Sequence, residues 1–317
     1  MTKPFETMTI EQVAQYPRPG TAIPGAVQFS PDGKLVTYLQ SGEGSLVRSL
    51  WAHEIASGET EQLIRPPKEA TTGETISREE ELRRERARMR ELGVTEYQFA
   101  REAKPWVLLV PLAGKLWVQR EGEAVRELQG TEGALDARLT RDGTKVAFVR
   151  ESEVWVAATD GAGAPVRITS GAEPGITNGV AEFIAQEELD RAEGYWWSRD
   201  GARIAYVRAD SRHIPVYPIV HQGKDAVDIE EHRYPFAGAA NAKLELFVVG
   251  AEGGEPVRMN IGPDDDQYIA RVAWRPDGVL MAGLLSRDQK SMRWIALDPA
   301  TGAGTRLIEE TGEPWFN

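Results

Sequence analysis

The segment WSRDGARIAYV, residues 197–207, places an aromatic residue, a polar turn ending in Asp-Gly, and a strand of aromatic and β-branched residues in direct succession. Glycine after the aspartate supplies the positive φ angle that a tight hairpin needs. The same order recurs in FSPDGKLVTYL at 29–39, LTRDGTKVAFV at 139–149 and WRPDGVLMAGL at 274–284. The sequence therefore predicts a β-hairpin at each of these four places.

A second kind of segment predicts a further set of hairpins, each with an apolar strand, a Gly-containing turn and another strand. These segments are SLWAHEIASGETEQLI at 49–64, KLWVQREGEAVRELQ at 115–129, EVWVAATDGAGAPVRIT at 153–169, LELFVVGAEGGEPVRMN at 244–260 and RWIALDPATGAGTRLIE at 293–309. Four short strands repeated every 40–50 residues or so are typical of a β-propeller, whose blades bury their faces against neighbouring blades. An all-β sandwich is the alternative, but it does not predict repeated pairs of hairpins.

The predicted fold class is therefore all-β, with about five propeller blades and two short helical insertions. The blades are expected at about 26–65, 95–130, 134–170, 178–262 and 267–310. In the second blade, the turn at 99–104 keeps its position but lacks the Asp-Gly pair. We expect residues 1–317 to form one incomplete propeller domain.

Both insertions carry helix signals. The insertion 66–94 has a highly charged core at 77–93, where Ser77 with Glu80 forms a capping box and Gly93 ends the run, so this core is expected to be a solvated helix. The second insertion is predicted as a helix that Asn178 caps and Gly194 ends, with Glu182 in its first turn.

Composition excludes several classes of function. The net charge of −12 argues against nucleic acid as a partner, because phosphates need a basic surface. The absence of cysteine excludes disulfides, thiolate catalysis and cysteine metal sites. The N-terminus lacks the apolar core of a signal peptide, and no segment approaches the ~20 apolar residues of a membrane span. We therefore expect no membrane partner and a cytoplasmic location, or a periplasmic one if a leader has been removed.

No complete catalytic set is visible in the chain. There is no G-x-S-x-G motif, and the histidines lack metal-binding spacing: His53, His213, His221 and His232. The acidic run at 264–266 lacks the alternating ligands of a calcium loop and is expected to be a solvated turn. We expect neither a metal nor a cofactor.

The adjacent carboxylates Glu187 and Glu188 are the strongest candidate for a binding site. Adjacency alone carries little information, because acidic runs also occur at 79–81, 230–231 and 309–310. Neighbours on a helix project about 100° apart, so both carboxylates can converge only near a helix end or around a concave ligand. Two close carboxylates repel each other unless a cation lies between them, and an ammonium group with three donors suits that position.

Five stretches carry a resemblance to a known family: the run 179–207, HIPVY at 213–217, RYPFAG at 233–238, YIARVAW at 268–274 and GEPWFN at 312–317. Through them the chain resembles the bacterial branch of the dipeptidyl peptidase IV family, serine exopeptidases of the prolyl oligopeptidase-like clan. This resemblance implies that Glu187 and Glu188 hold the free α-amino group of a peptide. A serine in a separate α/β-hydrolase domain would then release the N-terminal dipeptide. The resemblance also implies that the parent protein is a homodimer.

The same resemblance implies a substrate-contacting arginine on an inserted helix. The matching stretch is RRERAR at 83–88, and Arg86 is assigned this role, with Arg84 as the alternative. Members of the family have eight blades followed by the hydrolase domain, whereas this chain stops at Asn317. By resemblance, about three blades and the catalytic triad are missing, so we expect no catalysis by this polypeptide alone.

The missing blades and hydrolase domain are expected to belong to the same parent chain. A second polypeptide that carries them, or closure into a smaller ring, are the alternatives. Two functional hypotheses follow. The first is the substrate-gating, amino-terminus-binding portion of a dipeptidyl peptidase. The second is a non-catalytic propeller, a scaffold or binding module, on which the glutamate pair has no role.

Overall fold

The structure is a computed structural model that describes residues 8–18, 20–72, 78–86, 88–221, 227–262 and 266–315. Within these ranges, five sheets of four or five strands follow one another along the chain, together with a separate two-stranded hairpin. The chain divides into two compact units, residues 1–144 with 159–161 and residues 145–158 with 162–317. No helix in the described ranges has the length and apolarity to cross a bilayer.

The first three sheets are built from consecutive antiparallel strands. The first has the order β1 (Gly25–Phe29), β2 (Leu35–Ser41), β3 (Val47–Glu54) and β4 (Thr60–Ile64), and β5 (Leu92–Gly93) pairs in parallel with β3. The second has the order β6 (Gln98–Phe99), β7 (Val107–Leu112), β8 (Lys115–Arg120) and β9 (Arg126–Glu127). The third has the order β10 (Leu135–Leu139), β11 (Lys145–Arg150), β12 (Glu153–Ala158) and β13 (Val166–Arg167).

The fourth sheet departs from this simple order. It contains β14 (Ile176–Asn178), β15 (Tyr195–Trp197), β16 (Arg203–Asp210), β19 (Lys243–Gly250) and β20 (Val257–Arg258). Both β14 and β15 pair with β16, and β16 pairs on its other side with β19. The hairpin of β17 (Val216–His221) and β18 (Asp228–Arg233) stands apart from this sheet. The fifth sheet has the order β21 (Gln267–Trp274), β22 (Leu280–Ser286), β23 (Ser291–Leu297) and β24 (Gly304–Thr311).

The four Asp-Gly turns form as predicted. Their glycines have φ angles between 66° and 83°, and each donates its N–H to the carbonyl three residues earlier: Gly33, Gly143, Gly201 and Gly278. In three turns a hydroxyl two residues before the aspartate donates to its carboxylate at 2.6 Å: Ser30 to Asp32, Thr140 to Asp142 and Ser198 to Asp200. The five predicted second hairpins also form, as β3–β4, β8–β9, β12–β13, β19–β20 and β23–β24.

Alternating apolar residues of these strands form the core of each unit. In the first unit, one cluster joins Leu39 and Leu50 of the first sheet to Leu108 and Val110 of the second. In the second unit, Val207 and Leu246 of the fourth sheet pack with Leu284 of the fifth. Successive sheets within a unit thus cover each other's faces, as blades do.

Two helix predictions need correction. The helix expected over 77–93 is shorter in the structure, where α2 spans Arg78–Arg86, and the insertion also contains a short 3-10 helix at Lys68–Thr71 and β5. The predicted capping residue Ser77 lies outside the described residues. The helix predicted between Asn178 and Gly194 is only α3 (Phe183–Glu188), because Gly179, with a φ angle of 75°, turns the chain first. Asn178 does not cap it, since it lies in β14 and donates its amide to Glu153 at 3.0 Å. A separate short helix, α1 (Ile10–Ala14), lies near the N-terminus.

Candidate functional site

Glu187 and Glu188 lie on a loop that interrupts the strand paired with β16. The chain leaves the sheet at Gly179, whose N–H donates to the carbonyl of Val207 at 2.9 Å. It returns at Gly194, whose carbonyl accepts the N–H of Val207, also at 2.9 Å. A single residue of β16 therefore holds both ends of the loop.

The base of this loop requires two glycines. A methyl group at position 194 would overlap the carbonyl group of Gly179 and lie 2.5 Å from the carbonyl carbon of Val180. A methyl group at position 179 would overlap a methyl of Val154, and the positive φ angle there also disfavours other residues. Because Val180 and Glu193 form a β-bridge just beyond the glycines, the loop is closed at its base.

Arg191 anchors the loop from inside. Its side chain is 4% exposed, and its Nη2 donates to the Glu182 carboxylate, itself 6% exposed, at 2.8 Å. Nε donates to the carbonyl of Ile269 in β21 at 2.9 Å, and Nη1 donates to the carbonyl of Glu193 at 2.5 Å. Glu182 was expected to act at the helix N-terminus. It occupies the N-cap position, but its side chain pairs with Arg191 and makes no capping hydrogen bond.

Further contacts hold α3 and the residue that follows it. Arg271 donates to the carbonyl of Leu189 at 2.7 Å, and the Leu189 side chain packs against a buried cluster that includes Leu285. At the other end of the helix, the rings of Phe183 and Tyr234 meet edge to face, with centroids 5.4 Å apart. The position of α3 is thus set by tertiary contacts, as it must be for a helix of six residues, which is too short to be stable alone.

Both predicted carboxylates occupy the C-terminal end of α3. Glu187 and Glu188 are its last two residues, both are exposed, and its last turn holds no basic residue. Carboxylates are disfavoured at a helix C-terminus, where the backbone carbonyls carry partial negative charge. The site therefore concentrates negative charge, and it places the pair at a helix end, where neighbouring side chains can converge. The role of both residues in binding substrate stays a prediction.

Arg86, the predicted clamp, is the last residue of α2 in the first unit and is partly buried. The expectation of a solvated helix is wrong for one face of α2. Arg83 and Arg84 are 25% and 16% exposed, and both bond the Glu80 carboxylate, at 2.6 and 2.7 Å. Burial alone would raise the pKa of Glu80, but the two arginines outweigh burial and hold this pKa below its ordinary value.

A small cavity adjoins this inward face of α2. It has a volume of about 170 Å³, and its lining includes Glu80, Arg83 and Arg84 but not Arg86. The alternative assignment, Arg84, thus lines a cavity and is held by an ion pair. Which arginine contacts substrate stays a prediction.

The hairpin β17–β18 brings together two histidines that the sequence showed only as scattered. The Glu230 carboxylate contacts Nε2 of His221 at 2.7 Å and Nε2 of His232 with its other oxygen. No group of three or more metal-binding side chains occurs among the described residues.

The loop that carries Glu187 and Glu188, residues 179–194, is called the glutamate loop below. Two side chains that anchor it, Arg191 and Arg271, were not predicted. Their partners lie 9 and 82 residues away, outside any local spacing rule.

Comparisons with known proteins place this fold among dipeptidyl peptidases. Residues 111–317 match the family described as the dipeptidyl peptidase IV (DPP IV) N-terminal region. A solved structure of Porphyromonas gingivalis dipeptidyl peptidase 4 is similar to this chain, with a TM-score of 0.66 and 20% identity, over 99% of this chain and 43% of that one. A putative dipeptidyl aminopeptidase IV from Bacteroides ovatus has a TM-score of 0.61 and 19% identity, over 89% of this chain and 37% of that one.

Named relatives agree with this result. Inactive dipeptidyl peptidase 10 of Rattus norvegicus is 28% identical over 182 residues, which are 55% of this chain and 23% of that protein. A probable dipeptidyl-aminopeptidase B of Talaromyces marneffei is 25% identical over 175 residues, which are 50% of this chain and 19% of that protein. The chain thus spans about a fifth of the length of these relatives.

The fold defines an all-β protein built from propeller blades, which confirms the predicted class. The chain belongs to the dipeptidyl peptidase IV N-terminal region family.

Proposed function

We propose that this chain is the part of a serine-type dipeptidyl peptidase that binds and positions the free N-terminus of a peptide, without catalysis of its own. The observation that carries the proposal is the placement of Glu187 and Glu188 at the C-terminal end of α3, on a loop anchored at its base and along its length. A peptide ammonium can donate to both carboxylates and offset their repulsion.

Binding of the amino group at a fixed point would explain why the released product is a dipeptide. With the ammonium held at one point, the second peptide bond would lie at a fixed distance from it. There a serine, activated by histidine and aspartate, would attack the carbonyl and form an acyl-enzyme. Those groups would belong to parts of the parent protein outside this chain.

Binding measurements on this chain test the proposal. We expect tetra-alanine amide to bind more tightly than its N-acetylated form, and Glu187→Gln or Glu188→Gln to remove this preference. A hydrogen bond between charged groups contributes roughly 1.5–3 kcal/mol, so each substitution should weaken binding by about tenfold or more. Glu309→Gln/Glu310→Gln on exposed β24 is the matched control, since it also neutralises adjacent acids in the same unit. Equal loss in the control would contradict the proposal.

A non-catalytic scaffold is the second candidate, and one observation favours it: a named relative is an inactive dipeptidyl peptidase. Reading the gene beyond the codon for Asn317 separates the two. An open frame that continues through further blades to a G-x-S-x-G motif supports the enzyme, and a stop codon supports the scaffold.

We also propose that the parent protein pairs with a second copy through the hairpin β17–β18. This proposal is supported by a run of exposed apolar side chains on the hairpin, because monomeric proteins seldom expose large contiguous apolar patches. The residues are Val216, Tyr217, Ile219, Val220 and Ile229. Light scattering should show a dimer that Val220→Glu dissociates. A monomer at all concentrations would refute this pairing.

A further inference from the structure

We propose that Arg191 is a positioning residue, which holds Glu187 and Glu188 in the geometry that receives an ammonium group. This inference rests on the proposed function and adds to it a residue that does not itself touch the ligand. Arg191 is 5% exposed, and its guanidinium uses all three nitrogens in hydrogen bonds of 2.5 to 2.9 Å.

The acceptors of these bonds lie on both sides of the glutamate pair. Glu182 precedes α3 and Glu193 follows it, while the third acceptor, the carbonyl of Ile269, belongs to β21 in the next sheet of the same unit. The backbone N–H of Arg191 also donates to the carbonyl of Ala185, within α3, at 2.9 Å. One side chain therefore ties both flanks of the helix to a strand, and its backbone ties the helix to the loop.

The identity of the side chain matters for this task. A guanidinium is planar and rigid, so three bonds in fixed directions determine the position of all three acceptors. A lysine ammonium at the same place would keep the charge but not these directions. The Glu182 carboxylate neutralises the charge of Arg191, and it uses only Oε2 for this, since Oε1 is buried without a hydrogen-bond partner.

A buried ion pair of this kind is a poor means of raising stability alone. Its desolvation offsets most of the attraction, and replacement of both partners by neutral residues is often neutral or stabilising, whereas loss of one partner is strongly destabilising. Stability therefore does not explain why the pair is charged. Positioning does, because only the charged fork fixes the loop on both sides of Glu187 and Glu188.

The test uses this contrast on the whole chain, with tetra-alanine amide and its N-acetylated form as probes. Arg191→Met should reduce both the melting temperature and the preference for the free amine. The double variant Glu182→Gln/Arg191→Met removes both buried charges, so its melting temperature should return to the wild-type value while the preference stays at least roughly tenfold below it. Arg191→Lys should likewise lose most of the preference. Arg258→Met, which breaks the exposed pair with Glu245, is the control and should change neither.

A double variant with wild-type melting temperature and wild-type preference would overturn the inference. Hydrogen exchange of residues 183–190 separates this failure from failure of the proposed function. If the wild type shows no preference but Arg191→Met and the double variant both speed exchange there, the proposed function is wrong while Arg191 does order the loop. If exchange is unchanged in both variants, Arg191 does not position these residues.

Discussion

Gly194→Ala tests whether the glutamate loop is closed as the structure shows. The φ angle of Gly194 lies outside the left-handed region, so alanine suits the local backbone, and the entire effect must come from contact. The added methyl would overlap the carbonyl group of Gly179 and lie 2.5 Å from the carbonyl carbon of Val180, where ordinary contacts begin near 3.4 Å. These are backbone atoms, so the base of the loop must open by about 1 Å.

Opening the base strains the two hydrogen bonds that Val207 makes with Gly179 and Gly194. Overpacking costs about 1–3 kcal/mol and each of the two lost hydrogen bonds about 0.5–1.5 kcal/mol, so the unfolding free energy should fall by about 2–6 kcal/mol. For a unit of this size, the melting temperature should drop by at least about 4 °C in calorimetry. Gly42→Ala is the control, because its methyl would meet nothing within 4 Å. Equal melting temperatures for the two variants would refute the closed loop.

Three further predictions concern the packing and the turns. Leu284→Ala should lower the unfolding free energy by about 2–5 kcal/mol in urea titrations, because Leu284 is fully buried, whereas Leu307→Ala, at a side chain 48% exposed, should change it little. Tyr195→Phe should cost about 1 kcal/mol in the same assay, since its hydroxyl donates to a β11 carbonyl at 2.9 Å. Two hydrogen bonds lower the pKa of Asp32 from 3.8 to about 2: the larger effect comes from the Ser30 hydroxyl and the smaller one from Lys34. Asp32 therefore contributes stability above pH 4 that is lost as the pH falls towards 2, and Asp32→Asn should flatten this part of the stability profile measured between pH 2 and 5.

The predictable features of this fold are those that depend on neighbouring residues. An Asp-Gly turn is determined by its own residues. Glycine accepts the positive φ angle, and the aspartate accepts a hydrogen bond from a hydroxyl two residues earlier. For that reason the sequence predicted the hairpins, and their repetition predicted the propeller class. The glutamate pair was likewise visible in the sequence, and its role in binding is a prediction.

The unpredicted features depend on residues that are distant in sequence. The sequence predicted a helix between Asn178 and Gly194, but Gly179 and Gly194 both bond Val207 of β16, and only six residues between them are helical. The partnership of Arg191 with Ile269 likewise joins two sheets, and no local pattern indicates it. Such contacts become visible only after the strands have been placed.

A crystal structure of this chain with tetra-alanine amide bound would test the central claim most directly. We predict that the peptide's ammonium nitrogen lies between the carboxylates of Glu187 and Glu188, about 2.7–3.0 Å from an oxygen of each. If the amino end of the bound tetra-alanine amide lies elsewhere and both carboxylates point into solvent, the result contradicts the central claim.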